Sequence, residues 1–279
     1  MPDRPGERRH YPSDLTDAQW NQIEPFFVLS RDPRGNQRTV SVREIVNAVR
    51  YIARAGCAWR YLPHDFPNWK TVASYYYEWI RLGIWEKVTE HLREQIRIAS
   101  GRQKEPTAAI IDSQSVKTTE QGGLRGYDAG KKVSGRKRHI VVDVLGLLLA
   151  LVVHSADIQD RDGAKSLINA EFHQEFSNVT RIWADGGYAG TLVSHVEQET
   201  GITLDIVRKN DTSPGSWTAT DGGPPLDGKG SPAVMASQPA DNGFRVLPHR
   251  WIVERTFAWI GRHRRTSKDY ERLTSSSAT

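Results

Sequence analysis

Asp112 in AAIIDSQS, Asp185 in RIWADGGYAG and Glu254 in HRWIVERTFAWIGR are the residues of this chain best placed to do chemistry. The first two close the hydrophobic runs 109–111 and 182–184, and the third lies in a basic, Trp-rich stretch with helical spacing. A carboxylate at the end of a buried strand is costly unless its charge is compensated. Two Mg²⁺ ions would compensate it and would give distant acids a reason to converge. Both aspartates are expected near strand C-terminal ends, where open α/β sheets place their ligands. Gly186 and Gly187 let the backbone approach a metal or a phosphate. Glu254 follows Arg250 by one helical turn, so the two share a face that suits one metal and one phosphate. Ordinary roles compete for each acid alone: turn or cap residues for Asp112 and Asp185, and a surface ion pair with Arg250 for Glu254.

The charge around these acids is basic. The segment 116–139 holds Lys117, Arg125, Lys131, Lys132, Arg136, Lys137 and Arg138 against only Glu120 and Asp128. Residues 241–272 contain Glu254 and are also net positive. A basic surround on an acidic metal site suits a phosphodiester substrate, and the one-sided charge and glycines of 116–139 favour nucleic-acid contact over a merely solvated loop. Among competing acids, Asp143 sits mid-strand, and a solvent-facing side chain is its ordinary alternative. Asp160 and Asp162 precede a helix and read as N-caps. His139 and His154 bracket a hairpin without metal-ligand spacing and read as surface or satisfied core residues. A nucleophile elbow, a phosphate-binding GxxxxGK[ST] loop and a zinc pattern are all absent from the sequence.

Composition narrows the class. The 279 residues suffice for one large domain or two modest ones, and a net charge of +5 favours an anionic partner. The single Cys57 excludes a disulfide framework and a thiolate cluster, and fits a reducing cytoplasm. Apolar runs fall short of a membrane span, so no membrane partner is expected. The N-terminus lacks an apolar signal region, so secretion is not expected.

The elements that must hold the acids can be read from periodicity. Residues 1–12, with three prolines, read as a flexible arm. A helical DNA-binding domain is expected over 13–100. Asp14 or Thr16 caps its first helix, and Ser41 with Glu44 forms a capping box opening a second. A third helix runs from about 69 to 82 and a fourth from 84 to 99. The second and third helices suit a helix-turn-helix variant in which Trp69, Lys70 and Arg81 reach DNA. The alternative is a bundle that only dimerises. After a linker at 101–107 comes a strand ending at Asp112, a hairpin over 138–154 and a helix over 162–176. A strand at 179–184, a helix near 191–199, a strand at 202–207 and a final helix from about 248 to 265 follow. This order predicts an α/β domain over 108–272, a mixed sheet flanked by helices. The Gly/Pro/Ser-rich stretch 211–242 reads as a flexible insertion and 273–279 as a flexible tail.

At these motifs the chain resembles a bacterial insertion-sequence transposase of the DDE type, in the broad group called insertion-sequence family five. YPSDLTDAQWNQIEPFF resembles the family's opening. DSQSVKTTEQGGLRGYDAGKKVSGRKRHIVVDVLGLLL, SADIQDRDGA, WADGGYAG and HRWIVERTFAWIGRHRRTSKDYE resemble its catalytic domain. The resemblance implies an RNase H-like fold, with Asp112, Asp185 and Glu254 as ligands of two Mg²⁺ ions, for which Mn²⁺ can substitute. It implies double-stranded DNA as partner, both transposon ends and target, and a homodimer or higher oligomer that synapses two ends in the bacterial cytoplasm at the nucleoid. Around the glutamate the family places Tyr seven before, Arg four before and Lys seven after. Arg250 matches, whereas Leu247 and Gly261 replace the other two, with Arg262 or Arg265 placed to substitute. A metal-dependent nuclease of the same fold and a non-catalytic DNA-binding repressor are the alternatives.

Overall fold

The computed structural model describes residues 8–27, 40–120, 123–207 and 249–278. The expected insertion at 211–242 and Leu247 lie outside these residues.

The helical region begins with α1 (Asp17–Ile23), closed by a true capping box between Thr16 and Gln19. The box expected for α2 (Val42–Ala55) does not form, and Ser41 makes no side-chain cap bond. Glu44 turns instead to Arg8, whose Nε donates to it at 2.7 Å, and to Asn47 Nδ2 at 3.0 Å. Residues 8–12 are consequently not a loose arm. Tyr11 stacks on Phe66 at 5.1 Å, and Arg8 lies over the same ring. A tie of this kind was not visible in the proline content. Asn68 caps α3 (Trp69–Arg81), and α4 (Ile84–Ala99) keeps the bounds that periodicity gave it. The core between these helices is aromatic: Trp79 is fully buried and packs on Phe27 and Trp85 at 4.7 and 5.7 Å.

The second region is built on one six-stranded mixed sheet. Its strands are β1 (Ala108–Lys117), β2 (Gly126–Asp128), β3 (Val133–Asp143), β4 (Leu148–Ser155), β5 (Arg181–Asp185) and β6 (Thr203–Val207). The order is β2-β3-β1-β5-β6, with β4 also paired to β3. The pairs β1/β3, β2/β3 and β3/β4 are antiparallel, whereas β1/β5 and β5/β6 are parallel. Gly146, at φ 81°, makes the turn between β3 and β4.

Alternation along the strands separates two cores. Ile111, Val141 and Ile182 face α5 (Asp160–Lys165), α6 (Ala170–Glu175) and α7 (Thr191–Thr200). Ile110, Ile140 and Val142 face α8 (Arg250–Gly261) through Ile252, Val253 and Phe257. The single helix expected over 162–176 is two, because Asn169 caps a fresh start by accepting from Phe172 N at 3.0 Å. After α8 come the short helices α9 (Arg264–Ser267) and α10 (Thr274–Ala278), so the expected tail is helical and lies against β4.

The same alternation overturns a charge assignment. Strand β3 extends back to Val133, so Arg136, Lys137 and Arg138 fall inside the sheet and are all buried. Arg136 is fully buried and donates to Leu124 O, Asp269 Oδ1, Glu271 O and Arg272 O at 2.7–3.1 Å. Arg138 donates to Thr266 O at 2.6 Å, on the same face. Lys137 points to the other face and donates to Ile158 O at 2.8 Å. These three cations hold the protein together and offer no surface to DNA. Asp143 is likewise buried rather than solvent-facing. It pairs with Arg97 of α4 and accepts from Leu145 N and Leu147 N at 2.9 and 2.8 Å.

Candidate active site

Asp112 lies in the middle of β1 rather than at its end, because the strand continues past it to Lys117. What ends near Asp112 is the parallel pairing with β5, whose last rung is Ile110 with Trp183. Ala108 pairs with Arg181, an offset of 73 residues, and Asp112 and Asp185 are separated by the same 73. Continued two residues, the register therefore sets the two aspartates side by side where the strands part. Asp185 closes β5 and caps the tight turn Gly186–Tyr188, accepting from Gly187 N at 2.9 Å.

Glu254 reaches this place from α8. Arg250 stands among all three acids. Its Nε is 3.1 Å from Glu254 Oε1 and 4.0 Å from Asp112 Oδ2, and its Nη1 is 3.6 Å from Asp185 Oδ2. The three carboxylates thus gather around one guanidinium. The shared helical face expected for Arg250 and Glu254 is present. The cleft is lined by Ile110, Asp112, Trp183, Asp185, Val207 and Arg250 among others.

Burial is the main force on Asp112. It pushes the carboxyl up from 3.8 to about 6; the Ser113 N–H, at 2.7 Å, opposes that rise, Asp185 reinforces it, and Arg250 and Lys131 oppose it. A raised folded-state pKa means that the folded protein binds the proton more tightly than the unfolded chain. Stability from this group is then present below pH 4 and is lost as pH rises toward 6. In metal-free protein Asp112→Asn should therefore raise stability at pH 8 by about 2–3 kcal/mol, with the gain vanishing near pH 4. Urea denaturation of both proteins at the two pH values checks this, and an equal gain at both would refute it.

The other expected DNA-contacting residues divide. Lys117, Arg125, Lys131, Lys132, Lys70, Arg81 and Arg262 are exposed. Lys131 nevertheless bends inward, with Nζ 2.9 Å from Ser113 O. Trp69 is half-buried against the helical core with Arg60 and Lys70 over its ring. Arg265 is occupied by Glu271 and by Cys57 O, so of the two expected substitutes Arg262 is the exposed one. One feature escaped the sequence reading. Trp251, Arg255 and Trp259, at spacing i, i+4, i+8, form a stack with the guanidinium 4.8 and 4.7 Å from the two rings. Both tryptophans are exposed, and their helical spacing was the available signal.

Residues 103–278 match the family described as “Transposase DDE domain”. This chain belongs to the DDE transposases. Residues 15–89 of the transposase match a second family, described as “Putative transposase of IS4/5 family”, which places it in the IS4/5 type. Its mixed sheet is accordingly of the RNase H-like kind. An uncharacterized protein of Sinorhizobium fredii, y4sN, is 32% identical over 78 residues, which is 26% of this chain. The match spans 58% of that relative's length.

Dependence on a divalent metal goes with this family. The donor set fits one, since three carboxylates and no sulfur suit a hard cation. The buried and weakly compensated charge of Asp112 fits it too. Among the described residues no three metal-binding side chains already stand at cluster spacing. The Arg250 guanidinium occupies the space between the acids. No helix among the described residues is long and apolar enough to cross a membrane.

Proposed function

We propose that this transposase moves an insertion sequence: it binds the terminal inverted repeats, frees a 3′-OH at each end by Mg²⁺-dependent hydrolysis, and joins that end to target DNA. The observation that carries the reading is the convergence of Asp112, Asp185 and Glu254 on one guanidinium, at the seam where β1 and β5 part. Asp112, Asp185 and Glu254 would hold two Mg²⁺ ions, for which Mn²⁺ can substitute. Bound there, the ions supply Lewis acidity and an activated water at one phosphodiester.

The protein's own part is positioning and charge. Asp112 and Asp185 offer oxygens from rigid strands, so little reorganisation is needed at the moment of reaction. Glu254 comes from a helix on the cleft's exposed side and closes the set. Arg250 brings a single positive charge among the three acids, so it offsets them only in part in the metal-free protein, and it is available to a DNA phosphate once they are otherwise balanced. Exposed Lys117, Arg125, Lys131, Lys132 and Arg262 suit the phosphate backbone, as do Lys70 and Arg81 in the helical region. The exposed Trp251–Arg255–Trp259 stack offers flat surfaces to DNA beside Glu254. Two ends must be cut together, so the working form is a homodimer or higher oligomer on DNA.

The test is strand joining. A precut end with a free 3′-OH, incubated with plasmid target, protein and Mg²⁺, is expected to give covalently joined product on a denaturing gel. End cleavage without joining would identify a nuclease instead. Binding without Mg²⁺-dependent cleavage of any end would identify a repressor.

A further inference from the structure

On the face of the sheet away from α8, a set of polar groups, several of them buried, adjoins Ser113 beside Asp112 and the turn after Asp185. Ser113 follows Asp112, and its Oγ donates to Asp160 Oδ1 at 2.9 Å. Asp160 is the first residue of α5, but it caps nothing: the cap position is Gln159, and Asp160 faces the sheet. The same Oδ1 is paired with Lys137 Nζ at 2.9 Å. Lys137 also lies 3.5 Å from Asp128, which accepts from Ser115. Lys131 Nζ, from the turn before β3, reaches both Ser113 O and Ser113 Oγ at 2.9 and 3.0 Å.

The second of these places is the turn after Asp185. Its backbone comes so near that a Cβ on Gly187 would lie 3.4 Å from Asp160 Oδ2. The next residue, Tyr188, is fully buried and shares a hydrogen bond of 3.1 Å with His139 Nδ1. His139 Nε2 is in turn 4.0 Å from Asp160 Oδ1. Helix α5 is held close to these rings, because a Cβ on Gly163 would fall 2.4 Å from His154 Nε2 and 2.6 Å from His139 Nε2. Burial opposes the charge of Asp160, but the hydrogen bond and charge of Lys137 outweigh it and hold its pKa below the ordinary carboxylate value.

We propose that Asp160 is a positioning residue for the active site, a brace that is hydrogen-bonded to Ser113 beside Asp112 and lies close to Gly187 in the turn after Asp185, and so fixes the spacing at which the two carboxylates receive a divalent cation. The parallel ladder ends two residues before Asp112, so backbone pairing between β1 and β5 no longer fixes that spacing. Asp160 takes over where the ladder stops, with Lys137 as its fixed counter-charge. Carboxylates and hydrogen-bond partners behind metal ligands commonly set metal affinity by 10–100-fold.

The inference rests on the metal reading above, and its test separates the two. The full chain, stripped of metal, is titrated with Mn²⁺ while free Mn²⁺ is followed by electron paramagnetic resonance. Wild type, Asp160→Asn, Ser113→Ala and Asp112→Asn are compared, with thermal melting of each in the metal-free state. Asp160→Asn is expected to raise the Mn²⁺ dissociation constant about 10-fold or more, and Ser113→Ala about 3-fold, in protein that remains folded. A folded Asp160→Asn protein with wild-type Mn²⁺ affinity would overturn the brace, because a merely structural residue changes melting and not affinity. If Asp160→Asn does not fold, Ser113→Ala decides in the same way. Wild type that binds no Mn²⁺ would overturn the metal reading itself.

Discussion

Asp112→Asn, Asp185→Asn and Glu254→Gln, made singly, are each expected to lower Mg²⁺-dependent end cleavage by about 10³-fold or more. The amide keeps the shape of the side chain and removes the negative oxygen that a divalent cation needs. A loss of several kcal/mol of transition-state stabilisation corresponds to that factor. The measurement is single-turnover cleavage of a labelled transposon end. Cleavage at the wild-type rate by any one variant would remove that residue from the site. Asp112→Asn carries its own control, since it should be more stable than wild type at pH 8 when metal-free. A variant that is firmer yet inactive cannot owe its inactivity to unfolding. Glu254 is the most exposed of the three and, among the described residues, pairs with Arg250, so its variant should change stability least.

Arg136→Ala should give the largest loss of stability among the changes considered. It would leave Asp269 buried opposite an empty cavity, and three carbonyls of residues 124, 271 and 272 without their donor. Breaking a buried pair in this way costs about 3–5 kcal/mol, and the melting temperature of a chain this size should fall by roughly 10 °C. A DNA-contacting arginine would behave differently. Its loss would leave melting unchanged and would reduce the salt dependence of DNA binding by about one unit of slope. Measuring both quantities on Arg136→Ala decides between the two roles. A melting temperature within a degree of wild type would return Arg136 to the DNA surface.

What the sequence made legible follows from what each signal encodes. Asp112 and Asp185 stood out because a charge closing a hydrophobic run is costly wherever it occurs. Arg250 and Glu254 stood out because helical spacing fixes their common face. Ile84 to Ala99 was legible to the residue because its apolar stripe begins after one glycine and fades before the next polar stretch. The separation of 73 between the aspartates carried no meaning until the β1/β5 pairing gave it one. The charged run at 136–138 misled for a related reason. Composition counts positive charges but not the acids that neutralise them, and Asp269 lies 133 residues beyond Arg136. Asp160 was read as a cap because acids before helices usually are, and its turn toward Lys137 depends on a strand whose position only the sheet reveals.

That distance between Arg136 and Asp269 also has a consequence in time. A ribosome making about 5–20 residues per second needs roughly 7–27 s to travel from the cation to its counter-charge. For most of that interval the first strands of the sheet exist without Glu254, and to its end Arg136 waits without its carboxylate. The nascent chain can neither gather its three acids nor settle its core until the same late stretch of message has been read. Synthesis itself thus sets the order of events, and a half-made polypeptide lacks both its third acid and its buried counter-charge.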